Sequence, residues 1–208
     1  VSGYCKTNSC SVEEGARNLR YEIFEQSKFD KIATAHSLND CLETTIFNLA
    51  RGTGLKGLCS IPAVRGKIIR PLIECTREEI EEYLNNKNQN YVTDSTNLTN
   101  DYNRNKIRNI VVPTLNEINT SLLSTFKSTL DNLKSDENYF QQNAEKLLSD
   151  SKRDTGYDAV MLNTAHQSIK NRCLAKILSS ENLSYSSKTI HDISLILSNS
   201  GKINISKN

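Results

Sequence analysis

The chain is short of several things, and each shortage narrows its class. No apolar run approaches the ~18 residues needed to cross a bilayer as a helix, and mean hydropathy is −0.53. No charge of one sign dominates: the net charge is +2, so any contact with nucleic acid must come from a local patch. The six cysteines contain no C-x-x-C pair, which argues against a small secreted disulfide scaffold and for free thiols in a reducing cytoplasm. A zinc site from Cys5, Cys10 and His36 is conceivable, but the spacing fits no common finger. There is no internal repeat. There is no signal-peptide pattern, and residue 1 is Val rather than Met. The expectation is a fragment or a processed chain.

With 208 residues, 37% of them hydrophobic, one large domain or two small ones can form. Ser11-Val12-Glu13-Glu14 has the capping-box pattern, and apolar residues then recur at helical spacing, predicting a helix over 12–26. Lys31 to Ala35 reads as a short strand. Ser37 can cap the next helix with Asp40 at its third position; Leu42, Ile46, Leu49 and Ala50 form the expected buried face. Lys67 to Ile73 is strand-like, and Pro71 places that strand at an edge or ends it. Thr76 to Glu79 is a second capping box. From Pro113 onward strand signals vanish. One long helix over 114–150 and two more near 164–180 and 187–199 are predicted, with Gly201 as the last stop. The layout is an α/β part over 1–112 and an all-α part over 113–208.

The informative stretch runs from 31 to 61. His36 ends a strand. Asp40 and Glu43 follow one helical turn apart, and Arg51, Gly52, Gly54 and Gly57 close the helix and its loop. Ligands of open α/β sheets bind at the carboxyl ends of strands. Paired carboxylates can bind an ammonium, hold a metal or divide acid and base roles; an ordinary solvated helix face is the plain alternative. His36 can donate to a phosphate or act as a base, or simply bond to backbone. The glycine loop allows close backbone approach to phosphate or nucleic acid, with Gly52 alternatively a helix C-cap; the G-K-[ST] ending of a P-loop is missing. Arg104, Lys106 and Arg108 form a basic cluster suited to phosphate, or equally an ordinary solvated basic face.

The run AHSLNDCLETTIFNLARGTGLKGL, then IIRPL, DSTN and YNRNKIRNIVVP, resembles the tRNA(Ile)-lysidine synthetases, members of the N-type ATP pyrophosphatases. The resemblance covers about residues 11 to 115 and, less specifically, the helices to about 205. It implies the C-terminal part of a doubly wound, mostly parallel, Rossmann-like sheet followed by a helical tRNA-binding domain. It also implies a cytoplasmic ligase: ATP adenylates the C2 oxygen of the wobble cytidine of a CAU anticodon, the ε-amine of free lysine attacks C2, and AMP leaves. ATP, Mg2+, L-lysine and tRNA(Ile) are the implied cofactors and partners, with a homodimer left open and no membrane. Asp40, Glu43 and Arg51 are the expected catalytic residues, and His36 and Arg51 are expected at the nucleotide. Gly52, Gly54, Gly57, Arg104 and Arg108 are expected at the tRNA, and no metal ligand is assigned.

The family's S-G-G-x-D-S phosphate loop does not occur in these 208 residues, so the chain alone is expected not to turn over ATP. The family's H-H-x-D-D-Q-x-E-T reads here with Ser37, Asn39 and Cys41 at three altered positions, while Asp40 and Glu43 are retained. Two other readings remain: a related tRNA thiolase, and a non-catalytic tRNA-binding module.

Overall fold

The computed structural model describes residues 2–8, 10–92 and 103–198. They are mostly helical with small sheets. Two compact units divide between Asp131 and Asn132.

The first unit opens with helix α1 (Ser2–Asn8), which the sequence pattern did not announce, and α2 (Val12–Gln26). Ser11 caps α2, its hydroxyl oxygen accepting from the Glu14 N–H at 3.2 Å, an interaction contributing about 1 kcal/mol. Strand β1 (Ile32–Ala33) leads to α3 (Leu38–Arg51) and one turn of helix, α4 (Leu55–Leu58). Strands β2 (Val64–Arg65) and β3 (Ile68–Ile69) turn on Gly66, whose φ of 58° suits glycine. The sheet order is β1-β3-β2, with β1 parallel and β2 antiparallel to β3. Both predicted strands are therefore shorter than expected. Pro71 ends β3, which is the central strand, rather than marking an edge.

Helix α5 (Arg77–Asn86) carries the second capping box in full. Glu79 accepts from the Thr76 N–H at 2.7 Å, and Thr76 accepts from the Glu79 N–H at 3.1 Å. Beyond residue 102 come α6 (Asn103–Lys106), a π-helical turn (Ile107–Val111) and α7 (Val112–Ile118). The DSTN segment and Tyr102 lie outside the described residues.

The core of this unit gathers Leu38, Cys41 and Leu42 of α3, Ile73, and Phe126 and Leu130 of α8 (Leu122–Ser151), with Val112, Leu122 and Leu123 against them. This packing carries the first unit past Pro113 to Asp131. The expected face of α3 is corrected in part: Leu42 is buried and Ile46 packs on the core, but Leu49 and Ala50 are exposed. The apolar stripe instead starts earlier, at Leu38 and Cys41.

The long helix expected over 114–150 is broken at Asn119, whose backbone is extended. Asn119 Oδ1 accepts from the Ser121 N–H at 3.0 Å, and its Nδ2 donates to Thr125. Short polar side chains here offer the backbone an alternative to the helix.

In the second unit, the remainder of α8 packs Ala144 against Leu162 and Cys173, on α9 (Ala159–Thr164) and α10 (Gln167–Ser180). Leu174 and Leu178 meet Ile190 and Ile193 of α11 (Ser187–Ser198). Buried Glu137 pairs with Arg172, whose guanidinium lies 4.7 Å from the Phe140 ring centre. A hairpin, β4 (Lys152–Arg153) with β5 (Gly156–Tyr157), interrupts the helices where no strand was expected. Gly201 lies outside the described residues. No described helix is long and apolar enough to cross a membrane.

Candidate functional site

Strand β1 and the start of α3 set the site. The chain leaves β1 through Thr34, Ala35 and His36 and enters α3 at Leu38. Asp40 Oδ2 accepts from the Ser37 N–H at 2.8 Å and the Ser37 hydroxyl at 3.1 Å. This fixes Asp40 at the helix start, where a carboxylate also meets the positive end of the helix dipole. Glu43, one turn on, is 3% exposed.

Two arginines close over these acids. Arg104 donates from Nη2 to Asp40 Oδ1 at 2.8 Å and from Nε to Glu43 Oε2 at 3.1 Å. Arg108 grips Glu43 with two bonds, Nε to Oε1 at 2.6 Å and Nη2 to Oε2 at 2.9 Å. The paired Glu43 raises the Arg108 pKa, against the opposing effect of burial. Two carboxylates and two guanidiniums thus form a closed, charge-balanced cluster. Four of the residues singled out from the sequence come together here, though the arginines meet carboxylates rather than phosphate.

Asp40 and Arg104 also line a cavity of about 410 Å3 beside the cluster, with Arg17, Arg20, Tyr21 and His36. His36 shares a 3.0 Å hydrogen bond between Nδ1 and the Thr34 hydroxyl. Its pKa is lowered, chiefly by burial; nearby Asp40 opposes that, and Arg70, Arg104 and Arg17 add to it. His36 is therefore neutral near pH 7. It can accept from Thr34 at Nδ1 and offer an N–H at Nε2.

The sequence reading missed Arg17, Arg20 and Tyr21. Their signal was available: spacings of three and four on α2 place them on one helix face. Tyr21 collects cations. Arg17 and Arg65 lie over its ring at 5.4 and 5.9 Å, and buried Arg70 donates from Nη2 to its hydroxyl at 3.2 Å. Arg70 Nη1 donates to Pro62 O, while its buried Nε has no partner.

Arg51 does not join this group. It ends α3, about 16 Å along the axis from Asp40 at ~1.5 Å per residue, exposed and lying over the Phe47 ring at 5.2 Å. The expected convergence of Arg51 with His36 and Asp40 is corrected accordingly. Gly52 adopts φ 77° and caps the helix. Asn48 donates to Gly57 O at 2.9 Å and Thr45 to Leu58 O at 3.3 Å, tying the loop to α3.

The three altered motif positions have structural work. Ser37 bonds Asp40, Asn39 accepts from the Arg77 N–H at 2.8 Å at the start of α5, and Cys41 is fully buried in the core. No disulfide links the six cysteines. No group of three or more His, Cys, Asp or Glu among the described residues is arranged to hold a metal, so Cys5, Cys10 and His36 form no such site.

The parallel pair β1–β3 thus leads into a basic cavity, with an acid pair beside it on the following helix. The model of the PP-loop domain family matches residues 2–115, and the chain belongs to that family. Among curated relatives, the chain is 44% identical over 151 residues to a tRNA(Ile)-lysidine synthase of Clostridioides difficile (strain 630), covering 70% of this chain and 33% of the relative. A tRNA(Ile)-lysidine synthase of Bacteroides thetaiotaomicron is 45% identical over 134 residues, 62% of this chain and 32% of the relative. One from Caldanaerobacter subterraneus subsp. tengcongensis is 36% identical over 181 residues, 83% and 39% respectively. The chain thus spans about a third of the length of these relatives.

Proposed function

We propose that the chain is part of a cytoplasmic ligase that joins lysine to the wobble cytidine of tRNA(Ile), with residues 1–112 contributing to catalysis and 113–208 holding the tRNA. The parallel pair β1–β3 is, on this reading, a piece of a doubly wound sheet. One observation carries the proposal: a basic cavity suited to a nucleotide and an acid pair suited to an ammonium lie side by side and share Asp40 and Arg104.

The residues present fit ATP. Arg17, Arg20 and Arg104 offer guanidinium groups to phosphate, and neutral His36 adds an N–H donor. Tyr21 and Phe24 supply aromatic wall. Magnesium would accompany the phosphates as their counter-ion. When bound, ATP would supply the adenylyl group that turns the C2 oxygen of cytidine into a leaving group, with pyrophosphate released from the broken α–β phosphoanhydride.

Asp40 and Glu43 hold the lysine ammonium and take up its proton, since only the free amine is nucleophilic. Arg108 holds Glu43 in place with two hydrogen bonds. The loop from Arg51 to Gly57, exposed and basic at Arg51 and Lys56, borders the tRNA and meets its backbone. A helical second unit suits recognition of an RNA stem by shape.

The 208 residues contain no S-G-G-x-D-S, so on this reading they do not transfer lysine by themselves. The test is incorporation of labelled lysine into a tRNA with a CAU anticodon, with ATP. The whole natural protein and these 208 residues are assayed side by side. Lysine incorporation by the whole protein alone is the expected result. Incorporation of sulfur instead, or tRNA binding with no incorporation of either, overturns the reading in favour of a thiolase or a binding module.

A further inference from the structure

Arg104 belongs to two places at once. Its guanidinium bridges Asp40 and Glu43 by a single bond to each, at 2.8 and 3.1 Å. That bridging point is where an ammonium contacting both acids would have to sit. The same side chain lines the cavity that Arg17 and Arg20 make basic. Arg108 differs: it holds Glu43 through two bonds, and its side chain is 19% exposed against 31% for Arg104. Of the two, Arg104 is the one that can be detached at lower cost, and Arg108 then still compensates the buried Glu43.

The geometry points to Arg104 as the residue that couples the two sites: it occupies the ammonium position and leaves it most readily when a polyphosphate fills the adjoining cavity. This rests on the reading of Asp40 and Glu43 as the lysine site. Moving Arg104 off the acids with nothing in exchange leaves two carboxylates served by one guanidinium. A polyphosphate gives Arg104 a new anion, and the lysine ammonium replaces the lost cation one for one. Each ligand therefore favours the same displaced position of Arg104, so each strengthens the binding of the other by the same factor. Arg104 sits on the single turn α6, directly before the π-helical turn that carries Arg108. Such turns recur at functional sites.

The test uses the 208-residue chain and two readouts. In the first, the Nε–H resonances of its arginines are followed by 15N NMR during titration with inorganic tripolyphosphate. Arg17 and Arg20 report filling of the cavity. The expected result is that Arg104 shifts with them while Arg108 stays. In the second, L-lysine binding is measured by calorimetry with and without saturating tripolyphosphate. Wild type should gain roughly tenfold in lysine affinity, within the usual range of coupling between sites. Arg104→Met should bind lysine equally tightly in both conditions.

An unmoved Arg104 at a filled cavity overturns the inference, as does a tripolyphosphate effect that persists in Arg104→Met. If Arg17, Arg20 and Arg104 all stay unmoved, the cavity is not an anion site and the inference falls with it. If Arg104 moves as expected but L-lysine binds no better than norleucine, the switch stands and the lysine reading falls.

Discussion

Glu43→Gln isolates the charge of the buried acid. The amide has nearly the carboxylate's shape, so packing is unchanged, while the counter-charge of Arg108 and half that of Arg104 is lost. Three donors reach Glu43, at 2.6, 2.9 and 3.1 Å. The new amide group also turns its own donors toward guanidinium N–H groups. Breaking a buried pair by removing one partner costs about 3–5 kcal/mol. The guanidinium side chains are 19% and 31% exposed, so water recovers part of that cost, and the expected loss is about 2–3 kcal/mol. For a chain of this size it corresponds to a fall in Tm of about 5–10 °C. The chain has no tryptophan, so the assay is urea unfolding followed by circular dichroism and tyrosine fluorescence. Asp40→Asn should cost less, about 1 kcal/mol: an amide oxygen can still accept from the Ser37 N–H, the bond from Arg104 at 2.8 Å is the one lost, and the Asp40 side chain is 16% exposed against 4% for Glu43. A loss below about 0.5 kcal/mol for Glu43→Gln, or one no larger than that for Asp40→Asn, would refute the reasoning, since surface changes stay within that range.

Three further outcomes follow from the geometry. His36 has a lowered pKa in the fold; below its ordinary value near 6.5, the unfolded chain therefore takes up a proton first. Its contribution to stability is complete above that pH and falls as pH drops from there toward the folded-state value, and His36→Gln should flatten this part of a urea-midpoint profile. A Cβ at Gly15 would stand 2.3 Å from Cys5 Sγ and 3.5 Å from Cys10 Sγ, so Gly15→Ala should cost about 1–3 kcal/mol by overpacking. Adding Cys5→Ala should restore most of it in a double-mutant cycle, and additive losses would contradict the contact. Arg70→Met should change stability by no more than about 1 kcal/mol, because a buried cation with an unpartnered Nε contributes little net. It should still weaken tripolyphosphate binding by removing a charge and a bond beside Tyr21, and calorimetry decides.

Local signals in the sequence translated well into local structure. Ser11 with Glu14, Asp40 at the head of α3, and Thr76 with Glu79 each mark a helix start, because the bonds concerned span only three residues. Pro71 stops β3 for want of an N–H. The misses need information from far along the chain. Leu49 has helical spacing but is exposed. That Arg104 and Arg108 close over Asp40 and Glu43 is not legible locally, because the acids lie more than sixty residues away. The break at Asn119 and the hairpin at 152–157 rest on side-chain bonds and one glycine φ of 152°. Periodicity does not register either of these features.

The central claim is that the acid pair serves lysine transfer to tRNA. The most direct measurement compares the whole natural protein with its Glu43→Gln variant, scoring labelled lysine on a CAU-anticodon tRNA(Ile) and, separately, tRNA binding. The account predicts that the variant, assayed well below its lowered Tm, still binds tRNA but transfers essentially no lysine. Normal lysine transfer by Glu43→Gln would contradict it.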